Sequence, residues 1–213
     1  HLSCIGDNKS EVAELLHRYK NQGIKNLVAL RGDLPSGQVG LGELPYARDL
    51  VEFIRQETGD HFHIEVAAYP EMHPQSADYD SDLNNFIAKV HAGADSAITQ
   101  FFFDVDVYLR FVDRCRARGI TAEIIPGILP VTNVAQLKKF SALCGTAVPE
   151  WLATLFDGLD ENPELRHLIA AMVAAEQCRM LMLAGVNNFH FYTLNRADLT
   201  QAICHILGIR AAV

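Results

Sequence analysis

The 213-residue sequence predicts an α/β fold, and within that class a (β/α)8 TIM barrel of which six βα units are present. Short continuous apolar runs alternate with amphipathic stretches, which is typical of a parallel sheet covered by helices. No Gly-x-Gly-x-x-Gly string follows the first strand, which disfavours an open dinucleotide-binding sheet; the nearest string, from Gly37 to Gly42, follows the second strand with the wrong spacing. Polar residues collect at the carboxyl ends of several strands, where barrel enzymes build their sites. A single domain over residues 1–213 is expected.

The first three predicted strands lie at 1–5, 26–33 and 63–70, and the helices after them at 8–23, 46–59 and 81–93. Each strand is a short apolar run bounded by turn-forming residues. In the first helix Val12, Leu15, Leu16 and Tyr19 share one face, as expected for a helix that packs on a sheet. The first and third helices end at Gly23 and Gly93, which suit left-handed C-caps.

The last three predicted strands lie at 96–103, 122–130 and 188–195, and helices follow at 105–119, 133–145 and 196–208, with two further helical stretches before the last strand. Asn162-Pro163-Glu164 predicts a helix start, because it combines a capping residue, a proline at the first helical position and an acid behind it. Asn195 and Asp198 are spaced like a capping box for the last helix. Gly119 and Gly208 are further predicted C-caps.

Composition excludes several classes of protein. The net charge of -8 argues against general affinity for nucleic acid or for an anionic membrane. The longest apolar segment, Leu168 to Gly185, contains Glu176 and Arg179, which predicts a packed helix instead of a membrane span. No His, Cys or carboxylate set has metal-ligand spacing, so no metal site is predicted. Five scattered cysteines without a Cys-x-x-Cys pair predict reduced thiols in a cytoplasmic protein: Cys4, Cys115, Cys144, Cys178 and Cys204.

Arg31-Gly32-Asp33 follows the apolar run Leu27–Leu30 without a break, so this tripeptide is interpreted as the end of a buried strand instead of a displayed adhesion loop. Other strand ends carry Tyr69, Glu71, His73, Thr99, Gln100, Asp104, Tyr192, Asn195 and Arg196. One acid beside a glycine, an amide on a buried strand and several aromatic rings suit a flat heteroaromatic ligand that brings its own chemistry.

Six strings in this order, ALRGDLP, AAYPEMHP, AITQFFFD, EIIPGILPV, FDGLDENPE and FHFYTLNRA, resemble the bacterial-type catalytic domain of the methylenetetrahydrofolate reductase family. The resemblance implies a (β/α)8 barrel that binds FAD non-covalently. It implies that NADH or NADPH reduces the flavin, which passes a hydride to 5,10-methylenetetrahydrofolate to give 5-methyltetrahydrofolate. This activity belongs to one-carbon metabolism and methionine biosynthesis. A homo-oligomer is expected, with no nucleic-acid or membrane partner.

The resemblance also assigns roles to residues. Asp33 and Gln100 are the predicted catalytic residues: Asp33 matches the acid beside the flavin pyrimidine edge and the pterin, and Gln100 the amide that contacts folate and nicotinamide. The folate would contact Asp33, Gln100, Gln136, Phe140 and Arg196, with Phe140 against the aminobenzoate ring. The predicted FAD-binding residues are His1, Arg31, Gly32, Asp33, Tyr46, Ala47, Tyr69, His73, Asp82, Asn85 and Lys89. Among them, His73 and Lys89 are expected to contact the pyrophosphate.

The chain departs from the family pattern at its start. It opens in mid-pattern at His1, and the two units of the family that precede this point, including a glutamate that acts as general acid, are not in these 213 residues. The parent protein is expected to be a reductase, whereas activity of this stretch alone stays an open question. Two alternatives remain: another flavin barrel oxidoreductase of the proline dehydrogenase type, and a non-catalytic fragment.

Purely structural roles compete with these assignments. Asp33 could hydrogen-bond within its own turn, and Tyr69 before Pro70 could shape a turn. The run Phe101–Phe103 is expected to be packing, because adjacent bulky aromatics fill cores. Gln100 is different, since an amide on an apolar strand must find polar partners. The histidines at 61, 63, 91 and 167 are expected at the surface or at helix edges.

Overall fold

The computed structural model describes residues 1–33 and 40–210, and the described part is an α/β fold. Its strands are β1 (Leu2–Ser3), β2 (Asn26–Leu30), β3 (His63–Ala68), β4 (Ser96–Phe101), β5 (Glu123–Ile128) and β6 (His190–Phe191). Its helices are α1 (Lys9–Asn21), α2 (Ala47–Thr58), α3 (Tyr79–His91), α4 (Val105–Ala117), α5 (Val134–Cys144), α6 (Glu150–Thr154), α7 (Pro163–Leu183) and α8 (Ala197–Ile206).

The strands form one sheet in the order β1-β2-β3-β4-β5-β6, which confirms the predicted adjacency of consecutive strands. β1 pairs in parallel with β2, with Leu2 opposite Ala29. β2 pairs in parallel with β3 from Asn26 onward, and β5 pairs in parallel with β6. Parallel neighbours joined by helices place the carboxyl ends of the strands at one edge of the sheet.

The described chain divides into two compact units. The first unit comprises residues 1–68, 77–98 and 115–124. Its core is mainly aliphatic and includes the fully buried Leu16, Ile54 and Ile64. Arg55 near the end of α2 donates from Nε and Nη2 to the Gly93 carbonyl at 2.9 and 2.7 Å, and from Nη2 to Asp95 Oδ2 at 2.6 Å. This guanidinium fixes the turn that leads into β4.

The second unit comprises residues 69–76, 99–114 and 125–213, of which the last three are outside the described part. Its core is more aromatic and includes the buried Phe101, Phe102 and Phe111, so the predicted packing role of the phenylalanine run is confirmed. Gln177 Nε2 donates to the Phe102 carbonyl at 2.7 Å, which satisfies a buried amide on α7. Gly127 leaves no room for a side chain, because a Cβ there would collide with the Thr99 carbonyl.

Most predicted helix ends are confirmed. Asn162 caps α7 by accepting from the Leu165 N–H, with Pro163 at the first helical position. The predicted C-cap glycines at 23, 93, 119 and 208 all have positive φ. The predicted capping box at Asn195 is wrong: Arg196 is the N-cap of α8, and Asn195 has a φ of 61°, which is not the extended conformation that a capping residue needs.

The first and last strands are shorter than predicted. β1 pairs over two residues only, because the N–H groups of Cys4 and Ile5 both donate to the Arg31 carbonyl at 3.3 and 2.9 Å and the chain turns away there. β6 likewise covers His190–Phe191 instead of 188–195. All five cysteines are free thiols, as expected. Within the described residues, no helix combines the length and the apolar character needed to span a membrane.

Candidate functional site

The predicted tripeptide Arg31-Gly32-Asp33 directly follows β2 in the first unit. The Arg31 carbonyl accepts from the Ile5 N–H at 2.9 Å and from Ser3 Oγ at 3.0 Å, so the segment is fixed against β1. Gly32 has a φ of 82°, and a Cβ there would collide with Ser3 Oγ, so glycine is required. Arg31 and Gly32 are half-buried, whereas Asp33 is exposed. The segment is therefore a fixed strand end that presents one carboxylate.

Three predicted FAD-binding residues lie on α3: Asp82, Asn85 and Lys89. Their spacing of three and four residues places them on one face of the helix. Lys89 is half-buried as a residue, but its ammonium lies inside and donates to the Ala67 carbonyl at the end of β3. This burial lowers the pKa of Lys89 to about 8, against the opposing effect of Asp82. A buried cation at a strand end is suited to an anionic ligand.

The other predicted FAD-binding residues of the first unit occupy its surface. Tyr46 is exposed and is the N-cap of α2, where its N–H donates to Asp49 Oδ2 at 3.0 Å. Ala47 is the first residue of that helix, and His1 is exposed at the start of the chain. Helix starts carry free N–H groups that favour anions, but this geometry alone does not define a binding site.

Tyr69 and His73 follow β3 in the second unit, and the structure brings them together. Their rings meet edge to face with centroids 4.6 Å apart. His73 Nδ1 accepts from the Gln75 N–H at 3.0 Å, which assigns the proton of the neutral ring to Nε2. Nε2 is therefore the nitrogen of His73 that could donate to a phosphate oxygen.

Gln100 lies on β4 and lines a small cleft of the second unit. Its Oε1 accepts from the Phe101 N–H at 3.0 Å, so the amide oxygen is already held. The cleft is lined by Tyr69, Pro70, Glu71, Met72, Gln100, Phe101, Cys144, Gly145 and Thr146. It leaves almost no enclosed space, so by itself it does not enclose a folate or a flavin.

The predicted folate-binding residues of α5 and α8 are accessible. Phe140 is 41% exposed, and its ring stacks on that of Phe101 with centroids 5.5 Å apart and an interplanar angle of 9°. Gln136 is exposed on the same helix, one turn earlier. Arg196, the N-cap of α8, is also exposed. One face of the Phe140 ring thus packs on the buried Phe101, and the ring remains partly accessible to a ligand.

The sequence predicted Glu71 and Tyr192 at strand ends, but did not predict them as site residues. Glu71 Oε2 accepts from the Ala147 N–H at 2.7 Å, and burial raises the pKa of this carboxyl above its usual value. Tyr192 donates to the Thr99 carbonyl at 2.9 Å, and burial raises its pKa to about 12. The position of Glu71 between Tyr69 and His73 in AAYPEMHP was the available sequence signal.

Among residues 1–33 and 40–210, no group of three His, Cys, Asp or Glu side chains could hold a metal ion. Instead, strand ends carry a carboxylate, an amide, a buried ammonium and aromatic rings. The fold and these residues define the class: an α/β protein with polar residues at the carboxyl ends of parallel strands. A solved structure shares this fold with a TM-score of 0.55 at 17% identity, over 95% of this chain and 69% of its own: an uncharacterized protein from Clostridium thermocellum that binds two copies of 5-methyl-5,6,7,8-tetrahydrofolic acid.

Sequence comparison identifies the family. The family model for methylenetetrahydrofolate reductase matches residues 1–208. The 5,10-methylenetetrahydrofolate reductases of Pectobacterium carotovorum and Escherichia coli K12 are each 52% identical, over 213 and 210 residues, covering 100% and 99% of this chain and 70% of each relative. A Zea mays methylenetetrahydrofolate reductase (NADH) is 36% identical over 98% of this chain and 37% of its own length. The chain belongs to the methylenetetrahydrofolate reductase family.

Proposed function

We propose that the protein reduces 5,10-methylenetetrahydrofolate to 5-methyltetrahydrofolate, with NADH or NADPH as the reductant. The observation that carries this proposal is 52% identity over the whole chain to enzymes named for this reaction. The same relatives make a proline dehydrogenase-like activity the weaker candidate. A (β/α)8 barrel in one domain, a cytoplasmic location and a homo-oligomer remain predictions that follow from the family.

FAD is the cofactor that the family resemblance implies, and the residues of the first unit are compatible with it. No salt bridge of the described residues includes Lys89, although its ammonium is buried. A pyrophosphate oxygen near this ammonium would offset the cost of burying the charge. Asp82 and Asn85 on the same face of α3 would add a carboxylate and an amide to the contacts. Considered by itself, the second unit offers His73 Nε2 as a donor to a phosphate oxygen.

When bound, FAD would supply the hydride-transfer chemistry. The protein residues would bind the cofactor and substrate, orient them and adjust the reactivity of the flavin. Asp33 would place its carboxylate beside the flavin pyrimidine edge and accept hydrogen bonds from the donor groups of the pterin. Gln100 would present its amide nitrogen to folate and to nicotinamide in turn, because its oxygen is held by the Phe101 N–H. Each group acts by position and charge, and no proton transfer through these two residues is required.

The folate tail would lie against the second unit. Phe140 would stack on the aminobenzoate ring with its free face, since Phe101 supports the other face. Arg196 would pair with a carboxylate of the substrate, and Gln136 would contribute a hydrogen bond. Exposed side chains of this kind bind weakly one at a time, so affinity for the tail depends on their relative placement.

The proposed function is tested with purified full-length protein. We expect a yellow protein with a flavin absorption spectrum, which oxidises 5-methyltetrahydrofolate when menadione accepts the electrons. Proline as the electron donor should give no activity above background. A colourless protein without either activity would support the non-catalytic alternative, and oxidation of proline but not of methyltetrahydrofolate would support the other flavin enzyme.

A further inference from the structure

Glu71 is the carboxylate that links two loop segments of the second unit. It follows β3 by three residues, and its Oε2 accepts from the N–H of Ala147 at 2.7 Å, across 76 positions of sequence. The distance is short for a hydrogen bond from an amide, as expected when the acceptor is charged. Glu71 is half-buried, and the burial raises the pKa of its carboxyl. A carboxylate kept in such a place must have a compensating contact, and the Ala147 N–H provides it.

The segment that Glu71 holds follows α5 directly and is fixed at two further points. Gly145 packs so closely on the β3 loop that a Cβ there would lie 2.7 Å from the Met72 carbonyl. Thr146 Oγ1 donates to the Phe101 carbonyl at 3.1 Å, at the end of β4. Gly145 and Ala147 thus contact the loop after β3, and Thr146 contacts the end of β4. Glu71 provides a side-chain hydrogen bond from the β3 loop to this segment.

The two linked segments carry residues proposed for different ligands. The β3 loop carries Tyr69 and His73, which are proposed to contact FAD. The segment 145–147 ends the helix that carries Gln136 and Phe140, which are proposed to contact folate. Gln100 lies between them, because it lines the same cleft as Glu71, Gly145 and Thr146. A shift of the segment after α5 would therefore move Phe140 relative to Gln100 without touching either residue.

We infer that Glu71 is a positioning residue for folate, which acts through the Ala147 N–H to hold α5 and its Phe140 in register with Gln100. This inference rests on the proposed function. It assigns Glu71 no contact with the reacting atoms and no proton transfer. The hydrogen-bond acceptor at this position matters more than the negative charge, because the partner is a neutral amide N–H.

Two substitutions separate these contributions. Glu71→Ala removes the acceptor, and we expect the KM for 5-methyltetrahydrofolate in the menadione assay to rise about tenfold, comparable with the loss of one hydrogen bond. Glu71→Gln retains an acceptor oxygen, so its KM should stay within about twofold of the wild-type value. Reduction of the flavin by NADH or NADPH without folate should be unchanged in both variants. Glu150→Ala, an exposed acid at the start of α6, is the matched control and should leave the KM unchanged.

Several outcomes would overturn the inference. An unchanged KM in Glu71→Ala would show that Phe140 needs no such support, and an equal rise in Glu71→Gln would show that charge and not the acceptor matters. Equal loss of flavin reduction and folate affinity would indicate a general structural role. If Glu71→Ala does not fold, Glu71→Asp, which is one methylene too short to reach Ala147, takes its place with the same expectation. A wild-type protein without methyltetrahydrofolate activity would instead refute the proposed function.

Discussion

Asp33 is an exposed carboxylate at a fixed strand end, and this combination favours an electrostatic role over a role in folding. The backbone of the tripeptide is held by contacts of Arg31 and Gly32 with the β1 segment, none of which uses the Asp33 side chain. The side chain can therefore be altered without loss of these contacts.

We predict that Asp33→Asn separates the two halves of the proposed reaction. The negative charge near the flavin disfavours the extra electron density that reduction brings, so its removal should raise the reduction potential of the bound flavin. Reduction by the nicotinamide nucleotide should then be retained or faster, and folate reduction at least about tenfold slower, which corresponds to about 1.4 kcal/mol of barrier. Stopped-flow kinetics of both halves and a redox titration measure this.

The control for this prediction is Asp60→Asn, an exposed carboxylate of the same unit in the turn before β3. This control should change neither half-reaction nor the potential. If Asp33→Asn slows both halves equally at an unchanged potential, the electrostatic role of Asp33 is wrong.

A second prediction at this scale compares two glutamines with different surroundings. Gln177 is 7% exposed and donates to the Phe102 carbonyl, so Gln177→Ala should lower the free energy of unfolding by roughly 1–3 kcal/mol. Gln100 is half-buried, and its one hydrogen bond to the described part of the chain is to the neighbouring Phe101 N–H, so Gln100→Ala should leave unfolding nearly unchanged. It should instead lower kcat/KM for folate by about tenfold or more, with FAD affinity retained. Urea unfolding, flavin titration and steady-state kinetics test the pair, and equal loss of FAD and folate affinity in Gln100→Ala would mark Gln100 as structural.

At the scale of elements, helix α3 shows how a fold can prepare a charged site. Its N-terminal turn is capped by Asp78, which accepts from the Ser81 N–H at 2.7 Å, and its last turn carries Lys89 into the interior at the end of β3. The helix therefore fixes the direction from which the ammonium enters. Burial holds the pKa of Lys89 near 8, well below the 10.5 of a free lysine.

The lowered pKa of Lys89 gives a prediction about pH. Between pH 8 and 10.5 the unfolded chain binds more protons than the folded chain, so the free energy of unfolding of the FAD-free protein should increase with pH across this window, by up to about 3 kcal/mol. Lys89→Met should remove this dependence. FAD should also bind less tightly as pH rises through about 8, because the pyrophosphate favours the charged ammonium.

Lys20→Met, which alters an exposed lysine at the end of α1, is the matched control for the pH prediction. Thermal unfolding and flavin titration at pH 7 and pH 9.5 measure both effects. FAD affinity that is equal at the two values in wild-type protein would contradict the proposed contact between Lys89 and the pyrophosphate.

For the whole molecule, the sequence predicted the order of elements because caps, turn glycines and apolar runs are local signals. The site was predicted largely through resemblance to a family, since isolated residues such as Asp33 and Gln100 have plausible structural roles of their own. The bond from Glu71 to Ala147 could not be predicted, because it joins positions far apart in the chain and depends on the packing of Gly145. The cap at Asn195 failed for a related reason, since its backbone conformation is set by the preceding turn.

The outer face of α7 bears on the expected homo-oligomer. One side of this helix packs inward through Ala170, Ala174 and Leu181. The other side exposes large apolar residues: Leu168 at 65%, Met172 at 67% and Leu183 at 76%. Between them Arg179 forms a salt bridge with Glu176 at 2.6 Å. A helix that is apolar on both sides is usually covered on both sides, and a face with one acid and one base is self-complementary.

In an antiparallel pair of α7 helices related by a two-fold axis, Glu176 of one copy would meet Arg179 of the other, and Met172 would meet Leu183. We predict that Glu176→Arg lowers the molar mass of the assembly, because two pairs of like charges would then face each other, and that adding Arg179→Glu restores it. The pair within one helix is worth only a few tenths of a kcal/mol, so its loss cannot by itself change the assembly. Analytical ultracentrifugation measures the masses, with Glu161→Arg as the exposed control. Equal masses for all four proteins would exclude this face as the interface, whereas a loss of mass that the double substitution does not restore would show that the copies meet in another register.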